Sequence, residues 1–285
     1  MSRIILQSPA KLNLFLKVQN KRSDGYHNIV TVFERIDLAD TLSFESTPHK
    51  NIRITCDHPH VPVGSKNLVT KVAQLLQQEY DIKHGVEVKI QKNIPVAAGL
   101  AGGSSNAATA LLGLNKVWKL GLSRPKLLSF ARKIGSDVAF FLHDTSWALG
   151  TERGDRIKKL NIGTKLWQIL VVPRVKIYSW EVYGGLKLQL TRIDDNANIL
   201  TRNLKKGNIL EVGRLLANDL EKEVIRLCPR LAKLKKRLKS LNTKGVMISG
   251  SGPSVFGLTA TEKEAKYIKS ILSKRFSQVF VVRTL

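Results

Sequence analysis

The feature that most constrains the fold is a run of small residues, PVAAGLAGGSSN, at Pro95–Asn106. An alternating apolar segment, Gly85–Gln91, precedes this run, and apolar residues at helical spacing follow it as far as Trp118. Glycine permits sharp turns and close backbone approach, and the first amides of a helix are unpaired donors at the positive end of its dipole. The pattern therefore predicts a strand, a tight loop and a helix whose amino terminus binds an anion such as phosphate.

This loop differs from two well-known nucleotide-binding loops. It lacks the Gly-Lys-Ser/Thr ending of a Walker loop and the G-x-G-x-x-G spacing of a dinucleotide-binding loop. A turn that only packs a strand against a helix is the alternative interpretation. The anion site is favoured by three glycines and by three polar residues that can cap the helix or donate to phosphate oxygens. They are Gly99, Gly102, Gly103, Ser104, Ser105 and Asn106.

The composition indicates a globular chain of two domains. It has 285 residues, 43% hydrophobic and 24% charged, and a domain typically takes roughly 100–200 residues. We place the boundary in the polar, glycine-containing stretch Gly150–Asp155, so the predicted domains are 1–155 and 156–285. No apolar run approaches the roughly 20 residues that span a bilayer, and no signal-peptide core is present, so we expect a cytoplasmic protein. Cys56 and Cys228 lack disulfide or metal spacing and predict free thiols.

The formal net charge of +25 raises nucleic acid as an alternative partner. Residues 151–285 carry 28 Lys+Arg against 11 Asp+Glu, and residues 1–150 carry 19 against 11. Within Arg230–Lys244, leucines recur at helical spacing and leave the lysines on the other side. A basic outer helix face is the favoured interpretation, because no aromatic residues interleave with the lysines to stack on bases.

The remaining segments alternate in character and predict an α+β fold with helices over a sheet. The predicted strands are Arg3–Gln7, Leu12–Val18, Ile29–Asp37, Thr41–Glu45, Gly85–Gln91, Leu166–Val172, Val246–Ser249, Val255–Thr259 and Gln278–Val282. The predicted helices are Ser65–Tyr80, the segment from the loop to Trp118, the segment between Ser123 and Gly135, Asn208–Arg226, Pro229–Leu241 and Glu262–Phe276. Ser65 is the predicted N-cap of the first of these helices.

Two further segments place single polar residues among apolar ones. Lys11 and Asn13 lie in SPAKLNL, and Asp137 follows a predicted helix end in GSDVAFF. Each has an ordinary alternative, since Lys11 suits an exposed strand face and Asp137 suits a helix cap.

Together with the loop and with MISGSGPSVFG at Met247–Gly257, these segments resemble the three motifs of the GHMP kinase superfamily. The resemblance spans nearly the whole chain in the right order. It implies a two-domain α+β fold, with an N-terminal domain like domain 2 of ribosomal protein S5 and a C-terminal ferredoxin-like α/β sandwich. It also implies a kinase that uses ATP with Mg²⁺.

A narrower resemblance comes from SDGYHN at Ser23–Asn28, GSDV at Gly135–Val138 and NDLE at Asn218–Glu221. These segments are similar to the GHMP kinases that phosphorylate the 2-hydroxyl of a cytidine diphosphate-linked methylerythritol in the non-mevalonate isoprenoid pathway. The alternatives are a GHMP kinase for another small alcohol, such as mevalonate, homoserine or a sugar, and a nucleic-acid-binding protein. The expected partners are ATP and the small-molecule substrate, with no membrane, in a monomer or weak homodimer.

The resemblance also assigns roles to residues. Asp137 becomes the general base and Lys11 orients it or stabilises charge on the transferring phosphoryl group, which suits a reaction that needs positioning and charge neutralisation. Asn67 and Leu68 approach adenine, and Ser105 is the candidate Mg²⁺ ligand. The ATP loop comprises Pro95, Ala97, Ala98, Gly99, Leu100, Ala101, Gly102, Gly103, Ser104, Ser105 and Asn106. The substrate residues are Asn13, Tyr26, His27, Tyr183, Gly250, Ser251 and Gly252; for Tyr183, ordinary core packing is the alternative.

The loop departs from the family pattern at Ala97, Ala98 and Ala101, where family members usually carry glycine. An alanine at positive φ strains the backbone by about 1 kcal/mol, so the departure concerns nucleotide affinity more than the reaction. Ala139 likewise replaces a proline often found after the Asp-Val pair.

Overall fold

A computed structural model describes residues 3–186 and 195–285. Its strands are β1 Ile4–Lys21, β2 His27–Thr47, β3 Ile52–Cys56, β4 Gly85–Gln91, β5 Trp147–Thr151, β6 Arg156–Lys159, β7 Trp167–Val171, β8 Ala217–Asn218, β9 Gly245–Ile248, β10 Val255–Thr259 and β11 Val279–Arg283. Its helices are α1 Leu68–Glu79, α2 Gly102–Val117, α3 Arg124–Ile134, α4 Val138–Leu142, α5 Ser179–Gly184, α6 Asn196–Lys206, α7 Ile209–Arg214, α8 Glu221–Leu227, α9 Arg230–Lys239 and α10 Glu262–Leu272.

The first of two compact units contains the residues up to Ala10, together with Leu38–Val96 and Ala101–Asp144. In it β4 pairs with the second half of β2 in antiparallel fashion and with β3 in parallel. Helices α1 to α4 pack against one another beside this sheet. Gly113 of α2 faces the sheet, and a Cβ there would lie 2.5 Å from the ring of Phe44. The close approach of helix and sheet accounts for a glycine inside a helix.

The second unit contains Lys11–Asp37, Ala97–Leu100 and the described residues from Thr145 onward. The rest of β1 pairs in parallel with β8, the rest of β2 pairs with β5, and β5 forms a hairpin with β6. A four-stranded antiparallel sheet follows in the order β11-β7-β10-β9. The buried residues of α9 are Leu231, Leu234 and Leu238, and they join the core of this unit. Its lysines lie mainly outside, so the prediction of a basic outer helix face is confirmed.

Most predicted elements are present, but three predictions are wrong. Each of the two predicted strand pairs in the first 45 residues is one continuous strand, which runs through the polar residues taken as breaks. The predicted helix over Asn208–Arg226 is α7, β8 and α8, since the backbone at Ala217 and Asn218 pairs with β1. The N-cap of α1 is Asn67 and not Ser65, with the Asn67 side chain accepting from the Val69 amide.

Cys56 and Cys228 are free thiols, as predicted, with Cys228 buried. Within the described ranges, no helix has the length and apolar character needed to cross a bilayer. The domain division at residue 155 stays a prediction.

A fully buried carboxyl lies in the second unit. Glu34 of β2 has no exposed surface, and the Gln168 amide donates to both of its oxygens at 2.7 Å. The Thr284 hydroxyl also donates to it. Burial outweighs these bonds and raises the pKa of Glu34 to about 7 from an ordinary 4.5. The Gln168 Oε1 atom has no hydrogen-bond partner among the described residues.

This carboxyl predicts a pH-dependent stability. Between pH 4.5 and 7 the folded state binds a proton that the unfolded state has lost, so the free energy of unfolding falls as pH rises through this window. The total loss is roughly 3 kcal/mol. We expect Glu34→Gln to remove this slope and to be more stable than the wild type at pH 8, because a neutral amide avoids the buried charge and can donate to Gln168.

The measurement is urea unfolding at several values from pH 5 to 8. Glu45→Gln on the same strand, at an exposed position, is the matched control and should keep the wild-type slope. Equal slopes for Glu34→Gln and the wild type would contradict the assignment.

Candidate active site

The glycine-rich loop leaves the amino terminus of α2 uncapped by side chains. Helix α2 begins at Gly102, its N-cap is Ala101 in the left-handed region at φ 54°, and no side chain caps it. The predicted capping by Ser104, Ser105 or Asn106 is therefore wrong, since these residues lie inside the first turn. The Ser105 amide is the first that donates within the helix, to the Ala101 carbonyl at 2.9 Å. The earlier amides are donors suited to phosphate.

The middle of the loop is fastened within the second unit. The Lys11 amide donates to the Leu100 carbonyl at 3.2 Å, and the Ser249 hydroxyl donates to the Gly99 carbonyl at 3.1 Å. Gly99 has φ +74°, and a Cβ there would lie 2.3 Å from the Ser249 carbonyl oxygen. Only glycine satisfies both the conformation and the space at this position.

Behind the start of α2, the first unit holds a buried polar network. The Lys92 ammonium lies 2.6 Å from the Asp40 carboxylate, with 5% and 0% of their side chains exposed. The Asn106 amide donates to Asp40 at 2.8 Å and to the Ser8 hydroxyl at 2.9 Å, and Ser8 donates to Ser105 at 2.9 Å. This network fixes the first turn of α2 to β1, β2 and the end of β4.

Four residues predicted for the site converge in the second unit. The Lys11 ammonium donates to the Asn13 carbonyl oxygen at 2.5 Å. A Cβ on Gly250 would lie 3.2 Å from that Asn13 oxygen, 3.4 Å from the Gly99 carbonyl and 3.6 Å from the Lys11 ammonium. Lys11 is only 5% exposed, so the alternative of an exposed strand face is wrong. A buried ammonium beside two glycine-containing turns is suited to holding negative charge.

The turn between β9 and β10 is held by a residue whose role the sequence did not indicate. The Asn218 amide donates to the Ile248 and Gly250 carbonyls at 2.9 and 2.8 Å. Gly250 and Gly252 have φ +54° and +71°. Ser251 lies 2.7 Å from the Ser179 hydroxyl.

Sequence reasoning also missed three supporting residues. Thr31 accepts from the Asn13 amide at 2.7 Å, and Asp40 and Lys92 form the network behind α2. Thr31 is a polar residue within a predicted strand, whereas Asp40 and Lys92 lie just outside the predicted strands and carry no sequence signal.

Asp137 lies in the first unit, at the N-cap position of α4. Its side chain makes no capping hydrogen bond to that helix, so the capping alternative is wrong. The residue is partly exposed, and its role as the general base stays a prediction.

The predicted nucleoside residues lie in the second unit. The rings of His27 and Tyr183 are stacked, with centroids 5.4 Å apart and planes at 25°. Partial burial lowers the pKa of His27, and the Lys21 charge lowers it further. Tyr26 is 51% exposed. Tyr183 also packs against the core of this unit, so its role as a base-stacking residue stays a prediction.

The adenine and metal assignments likewise stay predictions. The Asn67 side chain caps α1 and donates to the Pro62 carbonyl at 2.6 Å, which leaves little of its amide for adenine, and Leu68 begins the helix. Ser105 is fully buried, and its hydroxyl oxygen accepts from Ser8. The part of the chain that the structure describes has no cluster of three His, Cys, Asp or Glu suited to a metal.

The loop alanines give a prediction about stability. Ala97 and Ala101 both have φ 54°, whereas Ala98 is buried and lies outside the positive-φ region. Because left-handed backbone costs about 1–2 kcal/mol and added glycine flexibility about 0.5–1 kcal/mol, we expect Ala101→Gly to raise the free energy of unfolding by about 0.5–1 kcal/mol. Ala98→Gly is the matched control and should lower it. Urea unfolding measures both; an equal loss in the two variants would contradict the strain.

An α+β fold with a glycine-rich loop at the start of a helix and a buried lysine beside it is the arrangement expected of a small-molecule kinase. The family model "GHMP kinases N terminal domain" matches residues 67–145, and "GHMP kinases C terminal" matches 200–278. Both predicted features, the α+β class and the GHMP kinase fold, are confirmed.

Relatives that are similar over nearly the whole chain show which group of GHMP kinases it belongs to. A 4-diphosphocytidyl-2-C-methyl-D-erythritol kinase from Bacillus cytotoxicus is 38% identical over 283 residues, which is 99% of this chain and 97% of that protein. One from Geobacillus kaustophilus is 39% identical over 284 residues, with the same coverage. A crystal structure of 4-(cytidine 5'-diphospho)-2C-methyl-D-erythritol kinase is 29% identical, with a TM-score of 0.84 over 99% of this chain and all of that one. The chain belongs to the 4-diphosphocytidyl-2-C-methyl-D-erythritol kinases of the GHMP kinase family.

Proposed function

We propose that the chain transfers the γ-phosphoryl group of ATP to the 2-hydroxyl of 4-diphosphocytidyl-2-C-methyl-D-erythritol. The observation that carries the proposal is the convergence of Lys11, Asn13, Gly99 and Gly250, residues of three separate motifs, in one place. Full-length relatives that bear this substrate in their name support it. Simple binding of a polyanion does not require a buried ammonium beside a loop that needs glycine at Gly99.

The proposed reaction is an in-line displacement. Asp137 accepts the proton of the substrate hydroxyl as its oxygen bonds to the γ-phosphorus, while the bond from that phosphorus to the bridging oxygen of ADP breaks. Lys11 neutralises charge on the transferring group, and Asn13 holds Lys11 in position through their hydrogen bond. Tyr26 and His27 hold the cytosine base, and Gly250, Ser251 and Gly252 face the substrate.

The proposed phosphate site is the loop from Pro95 to Asn106. The unpaired amides at the start of α2 donate to phosphate oxygens, and Ser104 or Ser105 supplies a hydroxyl. Mg²⁺ held by the phosphates would spread the charge of the leaving group. The donors present fit a cation carried by the nucleotide, because the described residues offer hydroxyls here and no carboxylate cluster.

The experiment is a substrate panel with ATP and Mg²⁺ scored by ADP release. Saturable release with the cytidine diphosphate-linked methylerythritol, and none with mevalonate, homoserine or sugars, is expected. Release with another alcohol but not with this substrate would replace the proposed acceptor. RNA binding with a steep salt dependence and no ADP release would favour the polyanion alternative.

We place the reaction in the cytoplasm, where its two substrates would be available, and the protein as a monomer or weak homodimer. The proposed domains remain 1–155 and 156–285. Because both substrates are anionic, the net charge of +25 would speed their capture.

A further inference from the structure

The β5–β6 hairpin carries an arginine that no motif indicates. Its turn contains Glu152 at φ 58° and Gly154 at φ +88°. The Ile29 amide donates to the Glu152 carbonyl at 2.6 Å, which ties the turn to the beginning of β2. This attachment brings Arg153 next to Tyr26, one residue before β2 begins.

Arg153 covers one face of the Tyr26 ring. Its guanidinium carbon lies 5.1 Å from the ring centroid, a distance at which a guanidinium and an aromatic ring attract each other. The side chain of Arg153 is only 23% exposed, whereas that of Arg156 on the same hairpin is 75% exposed. Arg153 is therefore packed, and it differs from an ordinary surface cation.

A buried carboxylate fixes the guanidinium in this place. Asp155 is 6% exposed, and its Oδ2 atom lies 2.6 Å from the Arg153 Nη2 atom. The other oxygen, Oδ1, is buried and has no hydrogen-bond partner among the described residues. Burying a carboxylate with one unpaired oxygen is unfavourable by itself. The ion pair with Arg153 accounts for the position of Asp155. Because Asp155 offsets the charge of Arg153, long-range attraction of phosphate is not the main role.

The loop before Tyr26 is held as firmly as the ring. The Tyr26 amide donates to Asp24 at 3.1 Å, and the Arg22 amide donates to the Tyr26 carbonyl at 2.8 Å. Arg22 also forms an ion pair with Asp24 at 3.1 Å. Backbone and ring are thus fixed while Tyr26 remains 51% exposed. A flat ring with a covered back and an accessible front is suited to stacking a planar base.

We infer that Arg153 is a positioning residue for the nucleoside part of the substrate, holding the Tyr26 ring so that the base stacks on its free face. The inference rests on the proposed function, which places Tyr26 in the cytidine pocket. Ordering an aromatic side chain before binding removes part of the entropy cost of binding. Arg153 acts through Tyr26 and takes no part in phosphoryl transfer.

The test compares steady-state kinetics of the full chain with substitutions at Arg153. Arg153→Met should raise the KM for the cytidine diphosphate-linked substrate about threefold to tenfold, with kcat and the KM for ATP unchanged. Arg153→Lys keeps the charge but lacks the planar group, so it should restore little. Arg156→Met is the matched control, and it should behave as the wild type.

A double-variant cycle separates positioning from a general structural effect. If Arg153 acts through Tyr26, adding Arg153→Met to Tyr26→Ala should raise the substrate KM no further. Asp155→Asn should reproduce part of the Arg153→Met effect with a smaller disturbance, which keeps the test available if Arg153→Met folds poorly.

Several results would overturn the inference. They are a substrate KM within twofold of wild type in Arg153→Met and Asp155→Asn, an equal rise in the KM for ATP, or independent effects in the double variant. Failure of the wild type to use the cytidine-linked substrate would overturn the proposed function and this inference together, whereas wild-type turnover with an unchanged KM in the variants overturns this inference alone.

Discussion

Asp137→Asn is expected to lower kcat by about 10²–10⁴-fold, the usual contribution of a positioned general base. The amide is nearly the same size as the carboxylate but cannot accept the hydroxyl proton. Urea unfolding of the variant separates a loss of catalysis from a loss of stability. ADP release with saturating ATP and cytidine-linked substrate measures the loss.

The matched control for this substitution is Asp144→Asn, at the end of the same unit. It should keep wild-type kcat, because no motif includes that residue. Near-normal turnover in Asp137→Asn would exclude Asp137 as the base. A loss of activity accompanied by a comparable loss of stability would instead indicate a structural role.

Lys92→Met is expected to lower the free energy of unfolding by about 3–5 kcal/mol, because it leaves a buried charge without its partner. Asp40 has no exposed surface and accepts from Lys92 at 2.6 Å. Two backbone amides, those of Asn93 and Ile94, also donate to it at 2.8 Å. Burial lowers the pKa of Lys92, and the attraction of Asp40 opposes this shift.

Urea unfolding at pH 7 measures this effect. Lys89→Met on β4, three residues before Lys92, is the matched control: its ion pair with Glu87 is 3.6 Å long and 62% of the lysine is exposed, so its cost should be at most about 1 kcal/mol. The double variant Lys92→Met, Asp40→Asn should regain part of the loss, since the unpaired charge is gone and the amide oxygen can still accept from the Asn93 and Ile94 amides. A loss in Lys92→Met no larger than that in Lys89→Met would contradict a buried pair.

Local sequence patterns predicted a helix well where a single residue type set its ends or its buried side. Pro125 and Gly135 delimit α3, and the leucines of α9 define its buried side. The predicted long helix over Asn208–Arg226 failed for a tertiary reason. The backbone of Asn218 pairs with β1, and its side chain donates to the β9–β10 turn. Neither partner is near Asn218 in sequence.

For the candidate site, the sequence indicated the motif residues but not the residues that hold them in place. Lys11, Asn13, Gly99 and Gly250 were all predicted, and the structure brings them together. Asp40, Lys92 and Arg153 were missed because their roles depend on partners distant in the chain. A buried ion pair and a cation over a ring have no periodicity, so neither appears in a single sequence as a pattern.

The left-handed alanines show where the shape of the phosphate loop is specified. If local preference set the backbone path, Ala97 and Ala101 would choose other conformations. Instead the Lys11 amide and the Ser249 hydroxyl hold the middle of the loop by hydrogen bonds, so neighbouring residues impose the path at the two alanines, and glycine is required only at Gly99. A search for related enzymes that demands glycine at every loop position would therefore overlook chains like this one, while a search for the residues that hold the loop would retain them.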